Sequence, residues 1–303
     1  MKKAFVFPGQ GSQKAGMGLD LYQNIPESKA VFDAADRILG FSISKICFEG
    51  PEDKLKLTEI SQPAILTTSI AILAAIKSMP DIAAGHSLGE YCALVCAKAI
   101  TFEDALRLVR LRGKFMQEAS PAGQGSMAAV LGISRDKLVE CLKAASAKGI
   151  VEAANFNSPG QIVISGQNEA VAEAGRLLKE AGAKKIIPLA VSAPFHSSLM
   201  QSAADKLAAE LNKISVNDPV IPVVSNVTAS AVIDAKTIRP MLIKQVTGSV
   251  LWEDSINEMV RLGVDTFVEV GPGNVLAGLI KKTAQDVKIS GVNDMMSLKE
   301  FTA

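Results

Sequence analysis

The sequence has almost no net charge, with 32 Lys and Arg residues against 31 Asp and Glu residues among 303. Proteins that bind nucleic acid or an anionic membrane through their overall charge carry a basic excess, so neither partner is expected. Long apolar runs are also missing, because the longest, roughly residues 64–76, is interrupted by Thr67, Thr68 and Ser69. A bilayer span needs about 20 apolar residues. The sequence therefore predicts no membrane segment.

Cysteine is scarce, with four residues, and the spacing of Cys47, Cys92, Cys96 and Cys141 fits neither a disulfide framework nor paired CxxC zinc ligands. Cys92 and Cys96 would lie one helical turn apart, but two sulfurs alone make a poor metal site, and small buried hydrophobic side chains are the simpler interpretation. The apolar run near the N-terminus is too short for a signal peptide. We therefore predict no metal and a location in the reducing cytoplasm.

What the sequence does contain is an alternation of short apolar runs with longer amphipathic segments. The predicted strands are Ala4–Phe7, Ile82–Gly85, Ile221–Ser225, Thr266–Val270 and Val287–Ser290. Predicted helices include Pro63–Ser78, Phe102–Ala119, Met200–Asn212 and Glu253–Leu262. Strands that alternate with helices are typical of an α/β protein with a mostly parallel sheet that is covered on both faces.

The middle of the chain follows a different order. Its predicted elements are a strand at Ser126–Leu131, a helix at Ser134–Lys148, strands at Val151–Phe156 and Gln161–Ser165, a helix at Glu169–Ala181 and a strand at Lys185–Val191. The order β-α-β-β-α-β is that of a ferredoxin-like unit. We predict a ferredoxin-like domain over residues 125–195, inserted into a larger α/β-hydrolase-like catalytic domain made of residues 1–124 and 196–303.

A candidate nucleophile lies in the stretch Gly85-His86-Ser87-Leu88-Gly89, a G-x-S-x-G pattern. A predicted strand precedes it and a helical run follows it, which is the context of a nucleophile elbow that lifts the serine hydroxyl out of the sheet. The N–H groups at the start of the following helix would point toward a tetrahedral oxyanion. A simpler interpretation, in which Ser87 only caps the helix, is less favoured because strand and helix are both present.

An activated serine needs a base, and the chain has only two histidines, His86 and His196. His86 adjoins the serine, so its side chain should project away from the hydroxyl at a sharp turn. His196 follows the last predicted strand of the inserted unit, at a domain junction, and is the predicted base. Asp136 and several glutamates lie between Ser87 and His196, on polar helix faces. The sequence leaves open whether a carboxylate or a backbone carbonyl orients the imidazole.

Several motifs resemble those of malonyl-CoA:acyl carrier protein transacylases, the enzymes of dissociated, type II fatty-acid synthases. The motifs occur in the same order as in that family, and the resemblance covers nearly the whole chain. They are Phe7-Pro8-Gly9-Gln10-Gly11-Ser12-Gln13, Gly85-His86-Ser87-Leu88-Gly89-Glu90, Leu111-Arg112-Gly113, Asn157-Ser158-Pro159-Gly160-Gln161, Pro194-Phe195-His196-Ser197 and Val270-Gly271-Pro272-Gly273. The resemblance implies that Ser87 carries the acyl group and that His196 acts as base and then acid. Gln10 and Leu88 would donate backbone N–H groups to the oxyanion, and the main-chain carbonyl of Gln245 would orient the histidine.

The resemblance further implies that Arg112 binds the malonyl carboxylate, which suits a planar guanidinium that stays charged near neutral pH. Without the motif, Arg112 would be one of several arginines on a solvated helix face. In relatives, a leucine after the nucleophile accompanies malonyl units. Leu88 is at that position here, and both Leu88 and Phe195 suit the small malonyl group. The expected partners are malonyl-CoA and acyl carrier protein. No cofactor is expected, because the CoA thioester is itself the substrate. The protein is expected to be a monomer.

Three alternatives remain in view. A serine esterase or thioesterase would use the same elbow and histidine, but Arg112 and the inserted unit favour a transferase. A non-catalytic scaffold would have no need to retain both Ser87 and His196. An acyltransferase domain of a modular polyketide synthase would have flanking synthase domains, so a stand-alone enzyme for fatty-acid synthesis is expected.

Overall fold

The computed structural model describes residues 2–120, 123–191 and 193–302. Its strands are β1 (Lys3–Phe7), β2 (Ile82–Gly85), β3 (Gly125–Leu131), β4 (Val151–Ser158), β5 (Gln161–Gln167), β6 (Lys185–Pro188), β7 (Val223–Val224), β8 (Ala231–Val232), β9 (Thr266–Val270) and β10 (Lys288–Val292). Its helices are α1 (Leu19–Asn24), α2 (Pro26–Leu39), α3 (Ile43–Glu49), α4 (Glu52–Lys56), α5 (Thr58–Ala75), α6 (Gly89–Cys96), α7 (Phe102–Glu118), α8 (Arg135–Ala145), α9 (Asn168–Glu180), α10 (Gln201–Leu211), α11 (Ala235–Thr247), α12 (Trp252–Arg261), α13 (Val275–Thr283) and α14 (Met295–Thr302).

The larger sheet has the strand order β10-β9-β1-β2-β7-β8. Its pairs are parallel from β10 to β7, and only the short β8 runs antiparallel to its neighbour β7. Successive side chains of a strand point to opposite faces, and both faces of β1 are buried: Phe5 and Phe7 enter one hydrophobic cluster, and Ala4 and Val6 enter another. The predicted α/β fold with a mostly parallel, doubly covered sheet is confirmed.

Helices cover the two faces of this sheet unequally. The cluster that contains Phe5 includes buried residues of α2, α5, α6, α7, α10 and α11, whereas the cluster that contains Ala4 is closed by α12 and α13. The helix α5 is buried along nearly its whole length between the sheet and its neighbours. This asymmetry gives the first face a deep core, and α7, which carries Arg112, packs within it.

The smaller sheet has the order β4-β5-β3-β6 and is antiparallel throughout. Its element order, strand, helix, two strands, helix and strand, is the predicted one. One face packs on α8 and α9 in a separate cluster that contains Ile162 and Ile164, while Val163 between them joins the main core. The Phe156 N–H donates to the Val250 carbonyl at 2.9 Å, so the smaller sheet also bonds to the segment before α12.

Some predicted boundaries were wrong. The helix α5 begins at Thr58 rather than at Pro63 and ends at Ala75, because Ile76 has an extended backbone. Pro63 has no N–H to donate to the carbonyl four residues earlier, as the interior of an α-helix requires. The helix nevertheless continues through Pro63, because the surrounding residues are buried. The strand β6 ends at Pro188 instead of continuing to residue 191, and β7 spans two residues.

Gly89 brings α6 into direct contact with the end of β1, and a Cβ there would lie 2.2 Å from the Phe7 carbonyl oxygen. We expect Gly89→Ala to lower the free energy of unfolding by about 3 kcal/mol, the upper range for overpacking. Gly278 is the matched control, because it is exposed on α13 and a Cβ there meets no atom within 4 Å. Gly278→Ala should stabilise the protein by up to about 1 kcal/mol through helix propensity. Urea unfolding measures both, and equal midpoints for the two variants would contradict the close approach.

Candidate active site

Ser87 lies between β2 and α6 at the carboxyl end of the parallel strands, with a left-handed φ of 52°. That conformation is uncommon for a residue with a Cβ. The chain turns so tightly that a Cβ on Gly85 would lie 1.9 Å from the Gly89 carbonyl carbon. The His86 N–H donates to the Phe7 carbonyl at 2.9 Å, which ties the turn to the end of β1. The local geometry is that of the predicted elbow, with the hydroxyl raised above the sheet edge.

His196 meets Ser87 across the edge of the sheet. Its Nε2 lies 2.8 Å from Ser87 Oγ, and its Nδ1 lies 2.9 Å from the Gln245 carbonyl oxygen and 3.2 Å from that of Gly248. A carbonyl only accepts hydrogen bonds, so Nδ1 carries the proton and Nε2 presents its lone pair to the hydroxyl. The question that the sequence left open has a geometric answer: backbone carbonyls, rather than a carboxylate, contact Nδ1.

The imidazole of His196 is buried, at 5% exposure. Burial first, and the nearby Arg112 charge second, lower the pKa of His196 to about 3. The resting imidazole is therefore neutral at physiological pH, which is the protonation state that a general base requires.

His86, by contrast, bonds away from the serine. Its Nε2 lies 2.8 Å from Asn157 Oδ1, and its ring packs edge-on against Trp252 at a centroid distance of 5.6 Å. Burial lowers its pKa, and the Asn157 bond opposes this effect. His86 thus connects the elbow to β4 and α12, and the structure brings only His196 to the hydroxyl.

Arg112 is 1% exposed, so it does not lie on a solvated helix face. One terminal nitrogen donates to Gln62 Oε1 at 2.8 Å, and the other donates at 3.0 Å to both Gln245 Oε1 and Ser87 Oγ. Burial lowers its pKa, but a guanidinium remains charged at neutral pH. Ser87 Oγ therefore accepts a bond from a cation while it faces the base, an arrangement that stabilises a developing alkoxide.

The N–H groups of Gln10 and Leu88 donate to no protein acceptor within the described ranges. Leu88 immediately precedes α6, and Gln10 follows β1, whose end lies beside that of β2. A Cβ on Gly9 would lie 2.6 Å from the His86 carbonyl oxygen, so the loop that carries Gln10 runs closely along the elbow. The Ser87 N–H, in contrast, is occupied by Asn226 Oδ1 at 2.7 Å. Two free donors beside the nucleophile form a candidate oxyanion hole.

Ser87 opens into a cavity of about 310 Å³. Five of the six predicted site residues line it, namely Gln10, Ser87, Leu88, Arg112 and His196, and the sixth, Gln245, is fully buried behind them. Apolar side chains complete the wall, including Met116, Met127, Leu189, Val191 and Phe195. A cavity with apolar walls and a few convergent polar groups is typical of a small-molecule site.

Three polar residues that the sequence did not point to complete the site: Gln62, which lines the cavity, and Glu90 and Asn226, which are buried behind it. The Gln245 side-chain Nε2 donates to Glu90 Oε2 at 2.7 Å and to the Ser87 carbonyl at 2.9 Å. Burial raises the pKa of the Glu90 carboxyl to about 7, although bonds from Asn226 and Gln245 favour its charged form. The one available signal was Glu90 within its motif. Asn226 and Gln62 have no local signal, since tertiary folding brings them to the site.

No group of three or more metal-ligating side chains occurs among the residues that the structure describes. Over the same ranges, no helix is long and apolar enough to cross a membrane.

The model of the acyl transferase domain family matches residues 4–299. The chain belongs to this family. It is 49% identical over 297 residues to the malonyl CoA-acyl carrier protein transacylase of Bacillus subtilis, covering 97% of this chain and 94% of the relative. The crystal structure of the Clostridium perfringens malonyl CoA-acyl carrier protein transacylase superposes with a TM-score of 0.96 at 46% identity, covering 100% of this chain and 96% of that one.

A further family structure holds a type II PKS acyl-carrier protein in complex with its malonyl-transacylase. It has a TM-score of 0.95 and 44% identity to this chain, and the match covers 99% of this chain and 98% of that one.

The different contacts of the two histidines lead to a prediction that needs no natural substrate. A fluorophosphonate probe phosphonylates an activated serine: a P–O bond forms, fluoride leaves, and the base takes the serine proton. We expect His196→Ala to slow labelling of Ser87 by about 10²–10⁴-fold and His86→Ala by less than about tenfold. Mass spectrometry follows the labelling, and thermal unfolding shows that both variants fold. A larger loss in the His86 variant would reverse the assignment.

Proposed function

We propose that this protein transfers a malonyl group from malonyl-CoA to acyl carrier protein through a covalent acyl-serine at Ser87. The observation that carries the proposal is the buried Arg112 guanidinium, which lies 3.0 Å from the hydroxyl that His196 also contacts. A fixed positive charge beside the nucleophile suits an acyl group that ends in a carboxylate. The relative from Bacillus subtilis, at 49% identity, carries the name of this activity.

In the first half-reaction, Ser87 Oγ attacks the thioester carbonyl carbon while His196 Nε2 takes the hydroxyl proton. The N–H groups of Leu88 and Gln10 bind the oxyanion. Collapse of the intermediate breaks the C–S bond, and His196 returns the proton to the departing CoA thiolate. The products are the malonyl ester of Ser87 and free CoA, and His196 is neutral again.

In the second half-reaction, the phosphopantetheine thiol of the carrier gives its proton to His196 and attacks the ester carbonyl carbon. The C–O bond breaks, and Ser87 Oγ recovers the proton from the imidazole. No oxidation or reduction occurs in either step, so neither step needs an oxidant or a reductant.

The Arg112 charge has different effects in the two steps. In the resting protein it lowers the pKa of His196 and donates to Ser87 Oγ. In the acyl-enzyme the malonyl carboxylate would pair with the guanidinium and neutralise it, which makes His196 a stronger base for the carrier thiol. The terminal nitrogen that now contacts Ser87 is the group that the carboxylate would engage.

We also propose the finer architecture predicted from the sequence: an α/β-hydrolase-like domain of residues 1–124 and 196–303 and a ferredoxin-like insertion over 125–195. The separate hydrophobic cluster between the smaller sheet and its two helices supports an insertion with its own core. The strand order β4-β5-β3-β6 supports the ferredoxin-like description. The monomeric state and the cytoplasmic location stay predictions from the sequence.

Radiolabelled malonyl-CoA tests the proposed function directly. The wild-type protein should acquire one label on Ser87 and lose it to acyl carrier protein when the carrier is added. Ser87→Ala should acquire none while it keeps its thermal unfolding midpoint, because the hydroxyl is the acceptor atom. Label on another residue would contradict the nucleophile. Release of free malonate in place of transfer would favour the esterase alternative.

Arg112 provides the sharper prediction about substrate choice. Arg112→Ala removes a charge-assisted contact worth about 1.5–3 kcal/mol, or roughly 10–150-fold in kcat/KM for malonyl-CoA. Acetyl-CoA has no carboxylate, so kcat/KM for acetyl-CoA should fall less. That smaller fall should reflect only the missing bond from Arg112 to Ser87 Oγ. Arg112→Lys keeps the charge without the planar fork and should retain part of the malonyl activity.

The matched control is Arg107→Ala on the same helix, where the side chain is 60% exposed and pairs with Glu103. It should leave kcat/KM unchanged for both thioesters. Equal losses for malonyl-CoA and acetyl-CoA in Arg112→Ala would mean that Arg112 acts only through the fold or through Ser87.

A further inference from the structure

A single side chain bridges the turn that carries the nucleophile. Asn226, fully buried at the end of β7, accepts the Ser87 N–H at its Oδ1 and donates from its Nδ2 to the Gly85 carbonyl, both at 2.7 Å. These groups belong to the two consecutive peptide groups that flank His86, immediately before Ser87. The rigid planar amide therefore fixes the distance between them, although Asn226 is 139 residues from Ser87 in the sequence.

The surroundings of Asn226 allow only one orientation of its amide. Its backbone N–H donates to Glu90 Oε2 at 3.1 Å, and Gln245 Nε2 donates to the same Glu90 oxygen at 2.7 Å. Gln245 Nε2 also lies 3.3 Å from Asn226 Oδ1. A flipped Asn226 amide would place its NH₂ against two other donors, and its oxygen against the Gly85 carbonyl. The buried groups would then be unpaired, which costs about 1–3 kcal/mol each.

Two consequences follow for the chemistry. The left-handed backbone at Ser87 is a conformation that costs about 1–3 kcal/mol unless its surroundings hold it. The paired bonds from Asn226 hold the peptide group before Ser87, and Gln245 Nε2 holds the Ser87 carbonyl after it at 2.9 Å. Because Asn226 occupies the Ser87 N–H, the next N–H in the chain, that of Leu88, is left free beside the hydroxyl. The bridge thus sets both the direction of Oγ and the choice of oxyanion donor.

We infer that Asn226 is a positioning residue for the acyl transfer. It sets the turn that directs Ser87 Oγ toward His196 Nε2 and reserves the Leu88 N–H for the oxyanion. The inference rests on the proposed function only for the natural substrate, since the fluorophosphonate reaction at Ser87 depends on the same geometry. If malonyl-CoA labelling of the wild type failed while the probe reacted, the proposed function would fall and the role of Asn226 could still be judged.

The variants Asn226→Ala and Asn226→Asp test the inference. A misplacement of about 1 Å costs on the order of 10²-fold in rate, so Asn226→Ala should slow fluorophosphonate labelling of Ser87 by about that factor per folded molecule. Its KM for malonyl-CoA should change much less than its kcat, because Asn226 does not line the cavity. Val268→Ala, buried in β9, is the control for a general loss of packing and should label at the wild-type rate.

Asn226→Asp adds a signature that a purely structural role would not produce. The ionised carboxylate keeps the acceptor for the Ser87 N–H but faces the Gly85 carbonyl with a second acceptor. When protonated, it matches the asparagine and donates again. The ratio of its labelling rate to that of the wild type should therefore rise by about tenfold or more as the pH falls through the pKa of the new carboxyl, from 8 to 5. Glu90, with a pKa of about 7, titrates in the same range, so the ratio reports the coupled pair of carboxyls. His196, with a pKa of about 3, and Arg112 keep their protonation states from pH 8 to 5.

The inference is overturned if both Asn226 variants label Ser87 at the rate of Val268→Ala, or if the ratio for Asn226→Asp is independent of pH. Circular dichroism and thermal unfolding at each pH give the folded fraction to which the rates are normalised. If Asn226→Ala does not fold, the pH series on Asn226→Asp decides alone. Loss of its fold at pH 8 with recovery of fold and rate together at pH 5 would assign Asn226 to stability and overturn a positioning role.

Discussion

The left-handed turn at Ser87 is the constraint on which the site depends. A residue with a Cβ adopts this conformation only where its neighbours hold it. Gly85 and Gly89 permit the turn because a Cβ on either one would collide with backbone atoms. The turn raises Oγ above the carboxyl ends of the strands, and only there can His196 and the Gln10 loop, which come from other parts of the chain, approach it. The chemistry is therefore assembled around a backbone geometry.

Buried polar groups hold that geometry together, and Gln245 connects them. Its main-chain carbonyl contacts His196 Nδ1, its side-chain oxygen accepts from Arg112, and its side-chain nitrogen donates to Glu90. An isolated charge in the interior would be costly. Here the guanidinium has amide oxygens and a hydroxyl as partners, and the Glu90 carboxyl lies on the other side of the same amide. One residue thus fixes both the base and the cation relative to Ser87.

The sequence predicted what depends on neighbouring residues and missed what depends on the tertiary fold. The elbow was predictable because a strand, a tight turn and a helix follow one another within residues 82–96. The resemblance supplied Gln245 through its main chain, but not the side-chain bonds to Glu90 and Arg112. No periodicity or spacing predicts that Asn226, just after β7, bonds to the elbow that follows β2. That contact depends on β7 and β2 being neighbours in the sheet. The predicted start of α5 was wrong for a related reason. Burial of the helix in the tertiary fold outweighs the local effect of Pro63 on the helix.

The smaller sheet contributes part of the wall of the cavity, whereas Ser87 and Arg112 come from the larger core. The segments at and after its strands contribute Met127, Asn155 and Leu189 to the wall of the cavity, and the chain then continues to His196. The nucleophile and the cation come instead from β2 and α7 of the larger core. The apolar side chains of Met127 and Leu189 can therefore change the shape of the cavity without breaking the bond between Asn157 of β4 and His86 of the elbow. His196 is protected from such changes because its Nδ1 is held by carbonyls near the end of α11, which belongs to the main core. His196 thus follows the smaller sheet in the chain, but carbonyls of the larger core orient its imidazole. The wall of the cavity can therefore vary while the distance from Nε2 to Oγ is maintained.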